Sequence, residues 1–313
     1  MQTRPVVAVV GPTATGKSQV AVALALALGG EVVNADASQL YRGMDVGTAK
    51  LGEAERRGVP HHLLDVLDVR EDASVAAYQH HARACIATLL DAGRLPVLVG
   101  GSGLYVRAVL DPLDFPGTDP ALRAELQLLA TQLGPAALHD RLAAVDAVAA
   151  QTIPPSNVRR VVRALEVVRL TGRPFTASMP RYSYVRPTVQ VGLRADRTLL
   201  DRRIGQRVDA MLAGGLVDEV ARLAGAGLRE GRTAVRALGY AQVLDHLDGR
   251  ATLEEARDRT VAATRAFARR QDKWFRRDPR VTWLDVDEHL TGNAGDADAL
   301  SGRVLRLVRS LTA

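Results

Sequence analysis

Val6-Val7-Ala8-Val9-Val10-Gly11-Pro12-Thr13-Ala14-Thr15-Gly16-Lys17-Ser18 decides the fold. Residues 5–10 form a short, largely β-branched apolar run ending at Gly11, the pattern of a strand buried on both faces of a parallel sheet. The next eight residues fit G-x-x-x-x-G-K-[ST], and residues 17–28 read as a helix closed by Gly29-Gly30. In that strand–loop–helix context successive backbone N–H groups curl around phosphate oxygens. The helix N-terminus adds partial positive charge. Gly11, Pro12, Thr13, Ala14, Thr15, Gly16, Lys17 and Ser18 are therefore expected to hold a di- or triphosphate, Lys17 as a point charge and Ser18 as a hydroxyl for Mg²⁺. The loop alone leaves open which phosphate compound binds and which bond breaks.

Outward from the loop, residues 31–36 read as a second strand and 95–99 as a third, which ends in Gly100-Gly101 before a helix from Leu104. Strand character returns at 188–193 and 281–286, around helices near 197–213, 215–224 and 252–276. This alternation predicts an α/β fold: a P-loop-type parallel sheet flanked by helices, with ligands beyond the carboxyl ends of the strands. Residues 113–187 instead alternate helical stretches with Pro116-Gly117, Gly134-Pro135, Pro154-Pro155 and Gly172-Arg173-Pro174. They are expected to form a mostly helical insertion domain, leaving 1–112 together with 188–313 as the core domain.

Composition narrows the function classes. Of 313 residues 47% are hydrophobic and 24% charged, which excludes wholesale disorder. One cysteine, Cys85, excludes a disulfide framework and any multi-cysteine zinc site, and fits a reducing compartment. The longest apolar run, 20–28, is too short to cross a bilayer and follows a phosphate loop, so a cytoplasmic protein with no membrane partner is expected. The net charge of +6 permits a polyanionic partner. Lysine stands only at 17, 50 and 273, so the placement of arginine carries more information than the total.

Several residues invite chemistry. Phosphate-loop ATPases carry a second acid at the end of a buried strand, but strand 95–99 ends in Gly100-Gly101-Ser102-Gly103, and the rival stretch 63–68 looks helical or loop-like. Hydrolysis is thereby disfavoured. Asp36, where the sheet's crevice opens, suits a general base opposite the phosphates, or equally a helix cap or an outer acid around Mg²⁺. His61-His62 and His80-His81 lack metal-ligand spacing, and Cys85 reads as a small buried hydrophobe. On the helix through 255–276, Arg265, Arg269, Lys273 and Arg276 share one face, with Val261, Phe267, Ala268, Trp274 and Phe275 expected on the core side. Arg159, Arg160 and Arg163 follow what looks like a capped helix start at 154–157. Arg207 lies on a helix that could serve as a lid or simply face solvent.

Taken together, the ordered stretches Gly11–Ser18, Asn34-Ala35-Asp36, Gln39–Lys50 and Gly100–Tyr105 resemble the tRNA dimethylallyltransferase (tRNA isopentenyltransferase) family, bacterial type. Arg163–Val167, Gly215–Val220, Ala237–Tyr240, Arg269-Arg270-Gln271 and Trp274-Phe275-Arg276 extend the likeness to about Arg277. The resemblance implies that the loop grips the diphosphate of dimethylallyl diphosphate, a leaving group. The five-carbon group would move to N6 of the adenosine at position 37 of tRNA, beside the anticodon. It implies Asp36, Thr13 and Arg207 as catalytic, with Asp36 taking the N6 proton and Mg²⁺ on Ser18. It further implies that Asp36, Ala37, Ser38, Gln39 and Ser102 face the flipped nucleotide, and that Arg159, Arg160, Val161, Val162 and Arg163 hold the anticodon arm. Ala37 departs from the family's usual Ser, Ser102 replaces a common Thr, and a monomer is expected. The competing expectations are a small-molecule kinase using ATP at the same loop and a non-catalytic RNA adaptor.

Overall fold

The computed structural model of the chain describes residues 4–175, 182–291 and 296–312. By backbone contacts the chain divides into two compact units, Met1–Leu110 with Tyr184–Ala313, and Asp111–Ser183.

The first unit is built on six parallel strands: β1 (Val6–Val10), β2 (Gly30–Asn34), β3 (His61–His62), β4 (Leu95–Val99), β5 (Thr188–Arg194) and β6 (Val281–Asp285). Their order is β3-β2-β4-β1-β5-β6, so the sheet is the expected parallel one. Around them run α1 (Lys17–Leu28), α2 (Glu53–Arg56), α3 (Val75–Asp91) and α4 (Gly103–Leu110). Val7, Val9, Val32, Val97 and Val191 point to the face covered by α1 and the chain's last helix. Val6, Ala8, Val10, Val33 and Leu98 point to the face covered by α3 and α4. Each fully buried valine of this kind contributes roughly 1.5–3 kcal/mol, so the alternation in β1 fixes both layers at once.

Strand ends set the site. Asn34 pairs with Val99, the Ala35 N–H donates to the Val99 carbonyl at 2.7 Å, and the Gly100 N–H donates to the Val9 carbonyl at 3.3 Å. The loops after β1, β2 and β4 therefore emerge side by side, where a doubly wound sheet opens its crevice. Strand β2 stops at Asn34, so Asp36 sits in the loop beyond the strand rather than at its last residue. The two-residue β3 and the helix α3 were not expected from the sequence.

The second unit holds α5 (Pro120–Val145), broken at Gly134 (φ 79°, ψ 166°) ahead of Pro135, then α6 (Ala147–Thr152) and α7 (Val158–Thr171). Asp119, Asp146 and Asn157 cap the three helices through their side chains. Leu126, Leu138, Leu142, Ile153 and Leu165 form its core together with Val161 and Val162. Those two valines are fully or almost fully buried, so their side chains pack this unit.

The first unit closes with α8 (Arg197–Ala213), α9 (Leu216–Gly225), α10 (Tyr240–Leu247), α11 (Leu253–Phe275), α12 (Asp287–Thr291) and α13 (Asp296–Thr312). On α11 Val261, Ala268 and Phe275 are buried, but Phe267 is half-buried at a cavity and Trp274 is exposed. The apolar stripe read from sequence is thus narrower than expected. Arg265 turns back to donate to the Asp201 carbonyl on α8, while Arg269, Lys273 and Arg276 stay exposed. Among the described residues no helix is long and apolar enough to cross a membrane.

Glu166 is the polar centre of the helical unit. Burial works against its charge, yet it accepts hydrogen bonds from Arg123, Arg163 and the Asp119 N–H, which hold its carboxyl below the ordinary range. Glu166→Ala should destabilise the protein by about 2 kcal/mol, the scale of hydrogen bonds to a buried charge, read by urea denaturation. With a folded pKa below the unfolded one, the stabilisation is present above the usual carboxylate range and is lost as pH falls through the folded value. An unchanged urea midpoint at pH 7 would contradict this role.

Candidate active site

The loop after β1 is shaped by its backbone. Gly11 has φ 131°, and a Cβ there would lie 2.3 Å from the Leu193 carbonyl oxygen, so only glycine lets β1 turn beside β5. Ala14 and Gly16 also take positive φ, 65° and 85°, the alternation that turns N–H groups into a concave nest. Ala14 holds this conformation without being glycine, at a cost of about 1 kcal/mol or more. Thr15 is buried and its hydroxyl donates to the Pro12 carbonyl at 2.9 Å, making it a brace of the loop. Lys17 Nζ donates to the same carbonyl at 2.5 Å. Burial and the neighbouring Arg207 push the Lys17 ammonium down to about 7, while Asp36 pulls the other way.

Across the crevice the Asp36 backbone is locked. Its N–H donates to Asn34 Oδ1 at 2.9 Å and its carbonyl accepts from Asn34 Nδ2 at 3.0 Å. One carboxylate oxygen, Oδ1, accepts the Ser38 N–H at 3.0 Å. The Ala37 N–H donates to the Ser102 hydroxyl at 3.3 Å, so Ser102 ties the loop after β2 to the start of α4. Gln39 spends its Nε2 on the Thr48 carbonyl at 3.1 Å. Arg207, on α8, is half-buried and has no hydrogen bond or ion pair among the described residues; burial lowers its pKa and Asp36 raises it. It is therefore not a solvent-facing arginine.

Two cavities meet here. One, about 520 Å³, is lined by Thr13, Gly16, Lys17, Ser18, Asp36 and Arg207. The other, about 380 Å³, shares Thr13, Asp36, Thr48, Arg207 and Phe267 with it and continues along Ile204, Val208, Met211 and Leu238. A charged chamber and a more apolar one thus adjoin, with Asp36 on both.

The absence of a strand-end acid holds in three dimensions: β4 runs into Gly100 and Gly101, both on the charged cavity. The rival acid Asp65 is committed to Lys50 Nζ at 2.6 Å, which also binds Asp45 Oδ1 at 2.6 Å. Three site-building residues escaped the sequence reading of roles. Glu219 is a buried carboxylate on α9 that accepts the N–H groups of Asp45, Val46 and Gly47 at 2.8–3.1 Å and the Tyr240 hydroxyl at 2.5 Å. It clamps the 45–50 loop that walls both cavities. Phe267 lines both, and Gln271 touches the phosphate loop itself. All three sit in or beside stretches that carried the family likeness, which was the available signal.

Elsewhere, Arg159 and Arg160 are exposed on α7, whereas Arg163 is consumed by Glu166 and the carbonyls of Pro116 and Gly117. It is a structural tie of the helical unit. Neighbouring Cys85 and the Glu31 carboxylate, 2.7 Å from His62 Nε2, raise the His62 pKa to about 9, and Cys85 packs half-buried against the apolar layer of α3 and α4 rather than fully inside it. Among the described residues no cluster of three His, Cys, Asp or Glu side chains could hold a metal.

A glycine-rich loop after β1, with an aspartate on the same cavity, defines a phosphate-loop α/β protein. Residues 39–278 match the family model described as IPP transferase, and the chain belongs to that family. It is 61% identical over 310 residues to a tRNA dimethylallyltransferase of Kineococcus radiotolerans, covering 97% of this chain and 96% of the relative. It is 60% identical to one from Streptomyces coelicolor over 309 residues, 98% and 97% of the two chains. Among solved structures it is similar to a full-length tRNA isopentenylpyrophosphate transferase from Bacillus halodurans (41% identity, TM-score 0.71, 99% and 97% covered). It is also similar to a eukaryotic dimethylallyltransferase acting on tRNA (25% identity, TM-score 0.82, 97% and 80% covered).

A polyanion in the loop favours the charged form of Lys17. Pyrophosphate binding at pH 8 should therefore take up protons, and affinity should weaken as pH rises from about 7. Calorimetry in buffers of different ionisation enthalpy reads this directly, and Lys17→Gln should lose most of the uptake. Equal uptake by that variant would contradict the assignment.

Proposed function

We propose that the protein transfers a dimethylallyl group from dimethylallyl diphosphate to N6 of adenosine 37 in tRNA. Family membership and the names of its relatives support the reaction class. The observation that carries the residue roles is the shared wall of the two cavities, where Asp36 and Arg207 stand between the phosphate loop and an apolar chamber.

In this reading the N6 lone pair forms a bond to the allylic carbon as the carbon–oxygen bond to diphosphate breaks, and the electron pair leaves with the diphosphate. Loop amides, Lys17 and Arg207 stabilise the growing negative charge. The free oxygen of the Asp36 carboxylate takes the N6 proton, its partner oxygen being held by the Ser38 N–H. Thr13, on both cavities, orients the diphosphate beside Asp36. No water has to be aimed, which fits glycines at the end of β4. Ser18, at the first turn of α1 and on the charged cavity, offers the hard oxygen donor that Mg²⁺ prefers alongside phosphate oxygens. Bound there, Mg²⁺ would further neutralise the departing diphosphate. The target base must leave its stack to reach Asp36, at about a few kcal/mol, less in a loop than in a duplex. Arg159 and Arg160, exposed on α7, are free to meet RNA phosphates.

Mixing the protein with Mg²⁺, unmodified tRNA and dimethylallyl diphosphate should release pyrophosphate in step with a mass gain on the tRNA. Acceptor-dependent ADP formation from ATP, with no gain on bound tRNA, would favour the kinase reading instead. Asp36→Asn should cut kcat by about 10²-fold or more, the range a general base supplies, with tRNA affinity nearly unchanged. Replacing Arg159 and Arg160 together by alanine should flatten the salt dependence of tRNA binding by about one unit of log–log slope per charge. A slope equal to that of wild type would remove them from the interface.

A further inference from the structure

Gln271 occupies a position no feature of prenyl transfer demands. It lies on α11, 258 residues from the loop it touches, and is buried. Its Oε1 accepts the Thr13 N–H at 2.9 Å, and its Nε2 donates to the Gly101 carbonyl at 3.0 Å. Both polar ends of one carboxamide are thus used, one on the phosphate loop and one on the end of β4. The fit leaves no slack: a Cβ on Gly101 would come within 2.0 Å of Gln271 Nε2, and one on Gly100 within 2.3 Å of the Ala35 carbonyl oxygen. The two glycines therefore make room for the carboxamide on one side and for the chain leading to Asp36 on the other.

We propose that Gln271 is a positioning residue for the transfer reaction: its carboxamide staples the phosphate loop at Thr13 to the end of β4 at Gly101, and so sets the spacing between the diphosphate cradle and Asp36. It takes up the ground beyond the strand where hydrolytic phosphate-loop enzymes place their second acid. A neutral side chain there adds no further carboxylate to a cavity already lined by Asp36 and Glu55. It also engages the Thr13 amide in the fold, so that Thr13 meets substrate through its side chain. The inference rests on the proposed prenyl transfer, and wild-type turnover under the same conditions separates the two. Absence of product from wild type would count against that reaction, whereas the variants below report on the staple only where wild type turns over.

The test compares wild type, Gln271→Met and Gln271→Glu with dimethylallyl diphosphate and unmodified tRNA, each variant's thermal transition confirming a folded protein. Gln271→Met has the length but neither hydrogen bond. It should lower kcat at least about tenfold and raise KM for the diphosphate, at every pH, with tRNA affinity within twofold of wild type. In Gln271→Glu the neutral acid can accept from Thr13 and donate to Gly101, whereas the ionised form faces the Gly101 carbonyl with a second acceptor. Its activity relative to wild type should therefore rise several-fold from pH 8.5 to pH 6. The charged groups on the same cavity, Lys17, Asp36, Lys50, Glu55, Arg203 and Arg207, are common to both proteins, as is Asp272 beside the substituted position, so the ratio isolates the change. Should Gln271→Met not fold, Gln271→Glu alone decides. Wild-type kinetics in folded Gln271→Met, or a flat activity ratio for Gln271→Glu, would overturn the proposal.

Discussion

Two cations held in one crevice without an anion of their own govern this structure. Lys17 is half-buried and leans on a carbonyl, and Arg207 is half-buried with no ion pair among the described residues. Withdrawing charge from water without a partner is unfavourable, and Asp36 relieves only part of it. In the proposed reaction a diphosphate would relieve the rest, so the same imbalance that weakens the free protein locally would strengthen its binding. As the leaving group gains charge during bond breaking, that attraction grows, and growth between ground and transition state is what accelerates a reaction.

The fold's contribution is to hold the groups facing this charge at fixed distances. Three strand ends emerge in register, and side-chain hydrogen bonds then lock the loops around them. Gln271 secures the first loop, Asn34 and Ser102 the second, and Glu219 the 45–50 loop. Glu219 is itself a buried carboxylate, but three backbone N–H groups and the Tyr240 hydroxyl saturate it, and burial together with that bond raises the Tyr240 pKa. The buried charge of Glu219 is thus matched, whereas Arg207 on the charged cavity has no ion pair among the described residues. This division is what preorganisation means in atomic terms.

Local signals in the sequence carried far where one residue's neighbours determine its state. A β-branched run before a glycine-rich loop placed β1, and capping residues with helical periodicity placed α7 and α11 to within a residue or two. They failed where the answer depends on another element. Two histidines are too short a run to signal β3, which exists because β2 offers it an edge. A contiguous set from Arg159 to Arg163 looked like one contact surface, but a helix turns by 100° per residue, so Val161 and Val162 face inward while Arg159 and Arg160 face out. Trp274 falls on the apolar stripe, yet it packs over Gly103 at the surface, in a groove that a missing Cβ creates. The staples at Gln271 and Glu219 join loops to residues 170 or more positions away, and no spacing rule reaches so far. Only the ordered likeness to a family marked those stretches.

The most direct measurement is a structure of the protein with Mg²⁺, pyrophosphate and an RNA hairpin carrying the acceptor adenosine. The account expects the diphosphate cradled by the amides of residues 14–18 and by Lys17, with the adenine N6 within about 3 Å of the Asp36 carboxylate, hydrogen-bond reach for a base. Pyrophosphate seated away from the loop, or a flipped base whose N6 lies beyond reach of Asp36, would contradict it.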